Sequence, residues 1–513
     1  MQSPEQKPTR KPPLDRDPLP PRREVIKAVE GRVLDPATAV VVRGVEPRPT
    51  VYIGPSLLIS KSIDVDGAVE VLSAVAKKLG WEVVLEPEDR RTAGLRFGVR
   101  RVRIEVSSDQ ASIAPDGWTL LQQTRAQFGV ENVKGVSLEH IIFADPFDVG
   151  HPFDVGHPFD VGHPFDVGHP FDVGHSANNY GGRWPVAYVG PAPQRAKQVA
   201  GDRPVVAILD TGCGSHPWLD TVVQENVKLD GFDIGFGPAV DDLEITGDLV
   251  GPLDGGLDKY AGHGTFIAGL VHQACPDADI LSWRIMPPEG PIPEAEWIAA
   301  LAQIAELVRR AWEGEPGGQR IDVLTMSIGY YHETPTDELF DPTLYSILED
   351  LSSHGCMVVC SAGNDATSRP AFPAAFAPWS DGAGPIAPTP GVLPIVSVGA
   401  LNPNRKTDAL FSNTGPWVVA YVEGALVMST LPTTFQGGLQ APAATVAFGR
   451  SRSSVDPDDF SGGFAIWSGT SFAAPLMAGR LAAAIERCRA AAPGASAYDH
   501  ALQAVRENTL ITS

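Results

Sequence analysis

The chain has little cysteine, no long apolar run and no excess of positive charge. Its five cysteines among 513 residues are odd in number and scattered, which argues against a disulfide framework. No segment approaches the roughly 18 consecutive apolar residues that mark a membrane-crossing helix. The formal net charge of -22 excludes nucleic acid as the main partner, because phosphate binding needs a basic surface. The opening stretch MQSPEQKPTRKPPLDRDPLPPRR has no apolar core, so it reads as lacking a secretory signal. It also has almost nothing to bury and is expected to be disordered. These absences point to a cytoplasmic protein without a membrane or nucleic-acid partner.

What is present is ordinary globular material. Hydrophobic residues make up 43% and charged residues 20%, enough apolar mass for a sizeable core, and the length favours two or three domains. Residues 1–48 read as a disordered proline-rich arm. Residues 49–144 carry alternating signals: strand TVYIGPSLLIS, helix GAVEVLSAVAKKLG, strands WEVVLEP and VRRVRIEVS, helix DGWTLLQQTRAQFG capped by Asp116, and strand GVSLEHIIFA. The β-α-β-β-α-β order predicts a small α+β, ferredoxin-like domain.

From Asp145 to His175 one six-residue word, PFDVGH, occurs five times and holds five of the 12 histidines. Proline and glycine in every word punctuate regular structure, and so few words make a poor solenoid. Residues 145–182 are therefore expected to be an extended linker, and the histidines alone define no metal geometry. Residues 183–513 alternate strand and helix in the manner of an α/β domain with a mainly parallel sheet flanked by helices. RPVVAILD is a near-continuous apolar run, as expected of a strand buried on both faces.

Three motifs in this domain carry chemistry. VVAILDTG ends a buried strand at Asp210, GHGTFIAGL places His263 at the mouth of a helix, and WSGTSFAAPLMAG places Ser471 at the start of another. Singly, each also reads as a turn or helix-cap residue. Together, in the order Asp, His, Ser, they resemble the subtilisin-like serine proteases, and the chain order is that of subtilisin itself. TMSIG (Ser327, Ile328, Gly329) is similar to the family's substrate-binding strand, and SAGND (Ser361, Ala362, Gly363, Asn364) to the segment whose asparagine completes the oxyanion hole. FPAAF, FSNTGPW and MSTLP follow in family order.

The resemblance implies a serine endopeptidase acting on protein or peptide substrates, with a triad of Asp210, His263 and Ser471. It implies no cofactor or metal for catalysis and leaves room for structural calcium. It makes His216 a turn residue. It also implies that residues 49–144 are a pro-domain-like, intramolecular inhibitor, with cleavage in or near the repeat. A peptide-processing protease or transacylase, or a silent peptide-binding pseudoprotease, are the alternatives. The acidic insertion DGFDIGFGPAVDDLEITGDLVGPLDGGLDKY reads as a solvated loop, a calcium loop or a cleft-side loop selecting basic residues. Cys213, Cys356 and Cys360 read as core.

Overall fold

The computed structural model describes residues 15–21, 23–107, 112–144, 182–199, 201–237, 241–250, 253, 255–334 and 343–511. The hexapeptide repeat lies outside the described residues. The first unit has the expected element order: β1 (Val51–Ser60), α1 (Val65–Ala76), β2 (Trp81–Leu85), β3 (Val99–Val106), α2 (Gly117–Phe128) and β4 (Val136–Ala144). The strands lie in the order β4-β1-β3-β2, with every pairing antiparallel. Asp116 accepts from Thr119 N at 3.0 Å and caps α2. The arm is more ordered than its composition suggests. Arg23–Ala28 is helical and Gly31–Val33 pairs with β1, because Ile26, Leu34 and Val45 do find apolar surface to bury against.

The second unit is built on β5 (Val205–Asp210), α3 (His263–Ala274), β6 (Asp279–Arg284), α4 (Glu294–Glu313), β7 (Val323–Met326), α5 (Thr343–Ser353), β8 (Met357–Ser361), β9 (Val396–Leu401), β10 (Ala420–Glu423), α6 (Thr470–Ala491) and α7 (Ala497–Asn508). Its sheet runs β10-β9-β8-β7-β5-β6, with Val223–Gln224 added at the β6 edge, and all pairings are parallel. All six residues of β5 are buried, which is why its sequence is apolar without alternation. Between β5 and β7 the chain changes direction across the sheet, and crevices beyond strand ends at such a switch point gather ligands. Asp210 stands there.

Strand β4 joins the two units. Its first half pairs with β1, from Ile59↔Val136 to Tyr52↔His140. Its second half leaves that sheet and enters the second unit. There Ile141 and Ile142 pair antiparallel with Pro293 and Ile292, while Phe143 and Ala144 pair with Gly329 and Ile328. Ile142 and Ala144 are fully buried in the larger unit's core. Burying an isoleucine contributes about 1.5–3 kcal/mol, so the seam is held by apolar contact as well as by backbone hydrogen bonds. Ile142→Ala should cost roughly 2–5 kcal/mol of this docking. The expected readout is faster amide hydrogen exchange in residues 141–144 with protection retained in 136–138. Equal acceleration across β4 would count against two separable halves.

Candidate active site

Asp210 ends β5, and its Oδ1 accepts from Thr211 N at 2.8 Å and from His263 Nδ1 at 2.6 Å. His263 opens α3 after Gly262, whose φ of +79° is left-handed and suits glycine. A side chain at Gly264 would collide with the carbonyl oxygen of Gly212, so the glycine that follows His263 lets α3 sit directly on the Asp210 turn. Both Asp210 and His263 are buried. The ring packs between Trp467 and Phe472, at centroid distances of 5.6 and 5.3 Å. With Nδ1 bonded to the carboxylate, Nε2 is the basic atom. It accepts no hydrogen bond from the described residues.

Ser471 lies at the start of α6, directly before Phe472, and α6 packs against α3. The first four N–H groups of a helix lie outside its own ladder, and that of Ser471 is among them. Proline at position 475 has no N–H to give to the carbonyl four residues earlier. That carbonyl belongs to Ser471, and Ser327 Oγ donates to it at 2.8 Å. The SIG segment is thereby tied to the serine turn. Asn364 follows β8. Its Oδ1 accepts from Thr470 N at 2.8 Å and Thr470 Oγ1 at 2.9 Å, which fixes the amide so that its nitrogen faces away from Thr470. Gly363 N donates to Thr470 Oγ1 at 3.1 Å, and Ala362 N donates to Val398 O at 3.0 Å. Ser361 pairs with Val398 at the end of β8. The expected residues thus converge on one region at the sheet's carboxyl end, with Ile328 and Gly329 already paired to β4.

Two supporting residues had no assigned role in the sequence reading. Asn413, from FSNTGPW, donates to Ala362 O at 2.8 Å and accepts from Asp365 N and Thr367 N at 3.0 and 3.1 Å. It clamps the SAGND turn from below. Glu244, from the acidic insertion, is turned inward rather than solvated. It bonds the hydroxyls of Thr211 and Thr265, and accepts from Gly264 N at 3.0 Å. Its neighbours in space are therefore the residues that follow Asp210 and His263 in the chain. Burial is the main reason its carboxyl is raised to about 8; the threonine hydrogen bonds oppose this, and Asp242 and Asp210 add to it. In the protonated form Glu244 can donate to Thr211 Oγ1, freeing that hydroxyl's proton for Asp210 Oδ1 at 3.2 Å. Asn413 sits in a motif the sequence already offered, whereas Glu244 does not stand out, because one glutamate in an acidic loop carries no signal of its direction.

His216 Nδ1 accepts from Trp218 N at 3.1 Å within a turn, and burial lowers its ring to about 4. Cys356 and Cys360 are buried. Cys213 is only part-buried by area, yet desolvation, with Glu244 and Glu225 nearby, raises its thiol well above the usual range. No helix among the described residues is long and apolar enough to cross a membrane.

The raised Glu244 carboxyl fixes a sign. The folded state holds this proton more tightly than the unfolded chain, so the contribution is present below about 4.5 and is lost as pH rises through about 8. Glu244→Gln mimics the protonated form. Its stability should fall less than wild type's between these values in urea unfolding at stepped pH, and identical slopes would refute the assignment.

Residues 201–510 match the subtilase family. An intracellular serine protease of Paenibacillus polymyxa is 26% identical over 306 residues, covering 57% of this chain and 69% of that protein. A crystal structure of a lanthipeptide protease is 20% identical, covers 59% of this chain and 79% of its own, and superposes with a TM-score of 0.38. With well over half its length matched and its parallel sheet in place, the chain belongs to the subtilase family of serine peptidases.

Proposed function

We propose that the protein is an endopeptidase in which Ser471 is the nucleophile, His263 the general base and Asp210 the residue that orients and stabilises the imidazolium. The buried 2.6 Å bond between Asp210 Oδ1 and His263 Nδ1 carries this reading. Ser471 Oγ attacks the peptide carbonyl while His263 Nε2 takes its proton. The tetrahedral oxyanion is received by the Asn364 amide and the Ser471 N–H. As the intermediate collapses, the C–N bond breaks and the imidazolium protonates the leaving amine. Water then repeats the sequence on the acyl-enzyme. Every step uses this chain's own side chains and water, so the mechanism calls for no cofactor.

In the same reading the first unit is an intramolecular inhibitor. The two segments that flank β4, Ile292–Pro293 and Ile328–Gly329, would hold an extended substrate as a middle strand. A groove with two such walls suits internal peptide bonds. While β4 occupies it, substrate is excluded. The repeat would then be the tether, and cleavage in it would release the first unit.

His140 makes that docking pH-dependent. It is fully buried, which alone would lower its pKa, but Glu294 and Glu333 outweigh this and raise it to about 10. Also facing it is His332, lowered to about 3 mainly by burial, with Arg125 and Arg369 acting on that second ring. The free imidazole value is about 6.5, so docking takes up a proton. Its full strength holds below that pH and is lost as pH rises toward 10.

Ser471→Ala should abolish labelling by a fluorophosphonate probe, and persistent labelling at another residue would sink the nucleophile assignment. Asn364→Ala should lower kcat by about 10²–10³, the magnitude known for the equivalent loss in subtilisin. Between pH 6.5 and 10 the full chain's peptidase rate should climb beyond the rise it shares with His140→Gln. Superimposable profiles for the two proteins would show that His140 does not govern docking.

A further inference from the structure

Because β4 alternates its side chains between two faces, His140, Ile142 and Ala144 point one way. Ile142 and Ala144 belong to the core of the peptidase unit, whereas Ile141 lies against Gly31 of the first unit. His140 therefore presents its ring to the peptidase side. There Nδ1 lies 2.7 Å from Glu294 Oε2, and Nε2 lies 2.7 Å from Glu333 Oε2. Glu294 Oε2 also accepts the His140 backbone N–H at 2.9 Å, and the Tyr330 ring lies 4.6 Å away, centroid to centroid.

Both carboxylates belong to the cleft and not to its occupant. Glu294 directly follows the wall segment Ile292–Pro293, and Glu333 lies four residues beyond Gly329 of the other wall. They face each other at 5% and 2% exposure. When β4 leaves, they remain, with Arg369 nearby and His332 held neutral by burial. An occupant with a neutral side chain at this level would leave two buried carboxylates without their shared cation, which disfavours it. A basic side chain would replace His140, with its charge between the carboxylates and its stem or plane against Tyr330.

We propose that Glu294 and Glu333 form a specificity subsite for a cationic side chain four residues N-terminal to the position held by Ala144. Resting on the endopeptidase reading and on β4 as a substrate-like occupant, the assignment names the substrate class. It is an extended peptide with a basic residue at this subsite, an aliphatic residue two positions later and a small residue two beyond that. A divalent ion is the rival reading, since ligand atoms of His140, His332 and Glu333 all lie within 4.8 Å of one another. Yet both His140 ring nitrogens face carboxylates, and Thr334 N donates to His332 Nδ1 at 3.0 Å. Both His140 nitrogens and His332 Nδ1 are thereby engaged, which disfavours a metal on these three side chains.

The test uses two fluorogenic peptides copying residues 136–148, one with arginine and one with glutamine in place of His140. They are assayed with the full chain and with full-length His140→Glu, in which a carboxylate set between two others should expel β4. Both peptides compete with the same internal strand, so their ratio of kcat/KM does not depend on how much of the protein is docked. The arginine peptide should be preferred by about tenfold or more. In Glu294→Gln/Glu333→Gln the ratio should fall to about twofold or less, the level left once both charges are gone. Equal constants for the two peptides in the unvaried chain would overturn the subsite. If neither peptide is cleaved by either protein, the peptidase reading fails. The subsite is still decided by fluorescence anisotropy with full-length Ser471→Ala, where equal affinities overturn it and tighter binding of the arginine peptide sustains it.

Discussion

A buried carboxylate must be paired with a cation, saturated with donors or protonated, and the centre of this molecule depends on meeting that constraint three times within one cleft. Asp210 accepts from the His263 ring and from the Thr211 backbone. Glu244, close behind it, has no cation bonded to it among the described residues and is instead raised toward protonation by its burial. Glu294 and Glu333 share His140, which comes from a different unit of the chain. The first solution orients the His263 ring, the second braces the turn that follows Asp210, and the third joins two domains. All three combine low exposure with hydrogen-bonded geometry, so each group resists displacement unless its partner leaves as well.

The backbone frame that makes this possible is a parallel sheet whose β5 end is a switch point, with two helices brought to it by their amino termini. One begins at His263 and the other contains Ser471 in its first turn. Proline at position 475 deserves its place in the motif for a physical reason. By withholding an N–H from the Ser471 carbonyl, it leaves that oxygen for Ser327, and a helix interior is thereby coupled to the wall of the cleft. Thr470 performs a parallel task for Asn364. The proposed nucleophile, oxyanion donor and substrate wall are thus linked by three short hydrogen bonds and do not depend on loop placement alone.

Much of the fold was legible because its elements obey simple periods. The alternation of VRRVRIEVS, the unbroken apolar run of RPVVAILD and the Asp116 cap each led to the element that formed. Asp210, His263, Ser471 and Asn364 stood out because glycines and small residues hold them in short, constrained motifs. The arm was misjudged for the opposite reason. Its mean composition is that of a chain with nothing to bury, but Ile26, Leu34 and Val45 suffice when a finished sheet edge is waiting for them. Composition averages over a segment, whereas packing needs only a few well-placed side chains.

By itself the sequence determined the class of the sheet, the order of the elements and the identity of the residues gathered at the β5 end. These follow from local pattern and from residue types that chemistry cannot exchange. Tertiary structure alone decided which acidic residues turn inward and which groups meet the side chains of β4. Glu244 looks like its solvated neighbours until Thr211, Thr265 and Gly264 close around it. His140 is one residue of an ordinary strand until two carboxylates, more than 150 positions away in the chain, meet on either side of its ring. A side chain's charge state and direction depend on what surrounds it, and those surroundings come from parts of the chain that no local window contains.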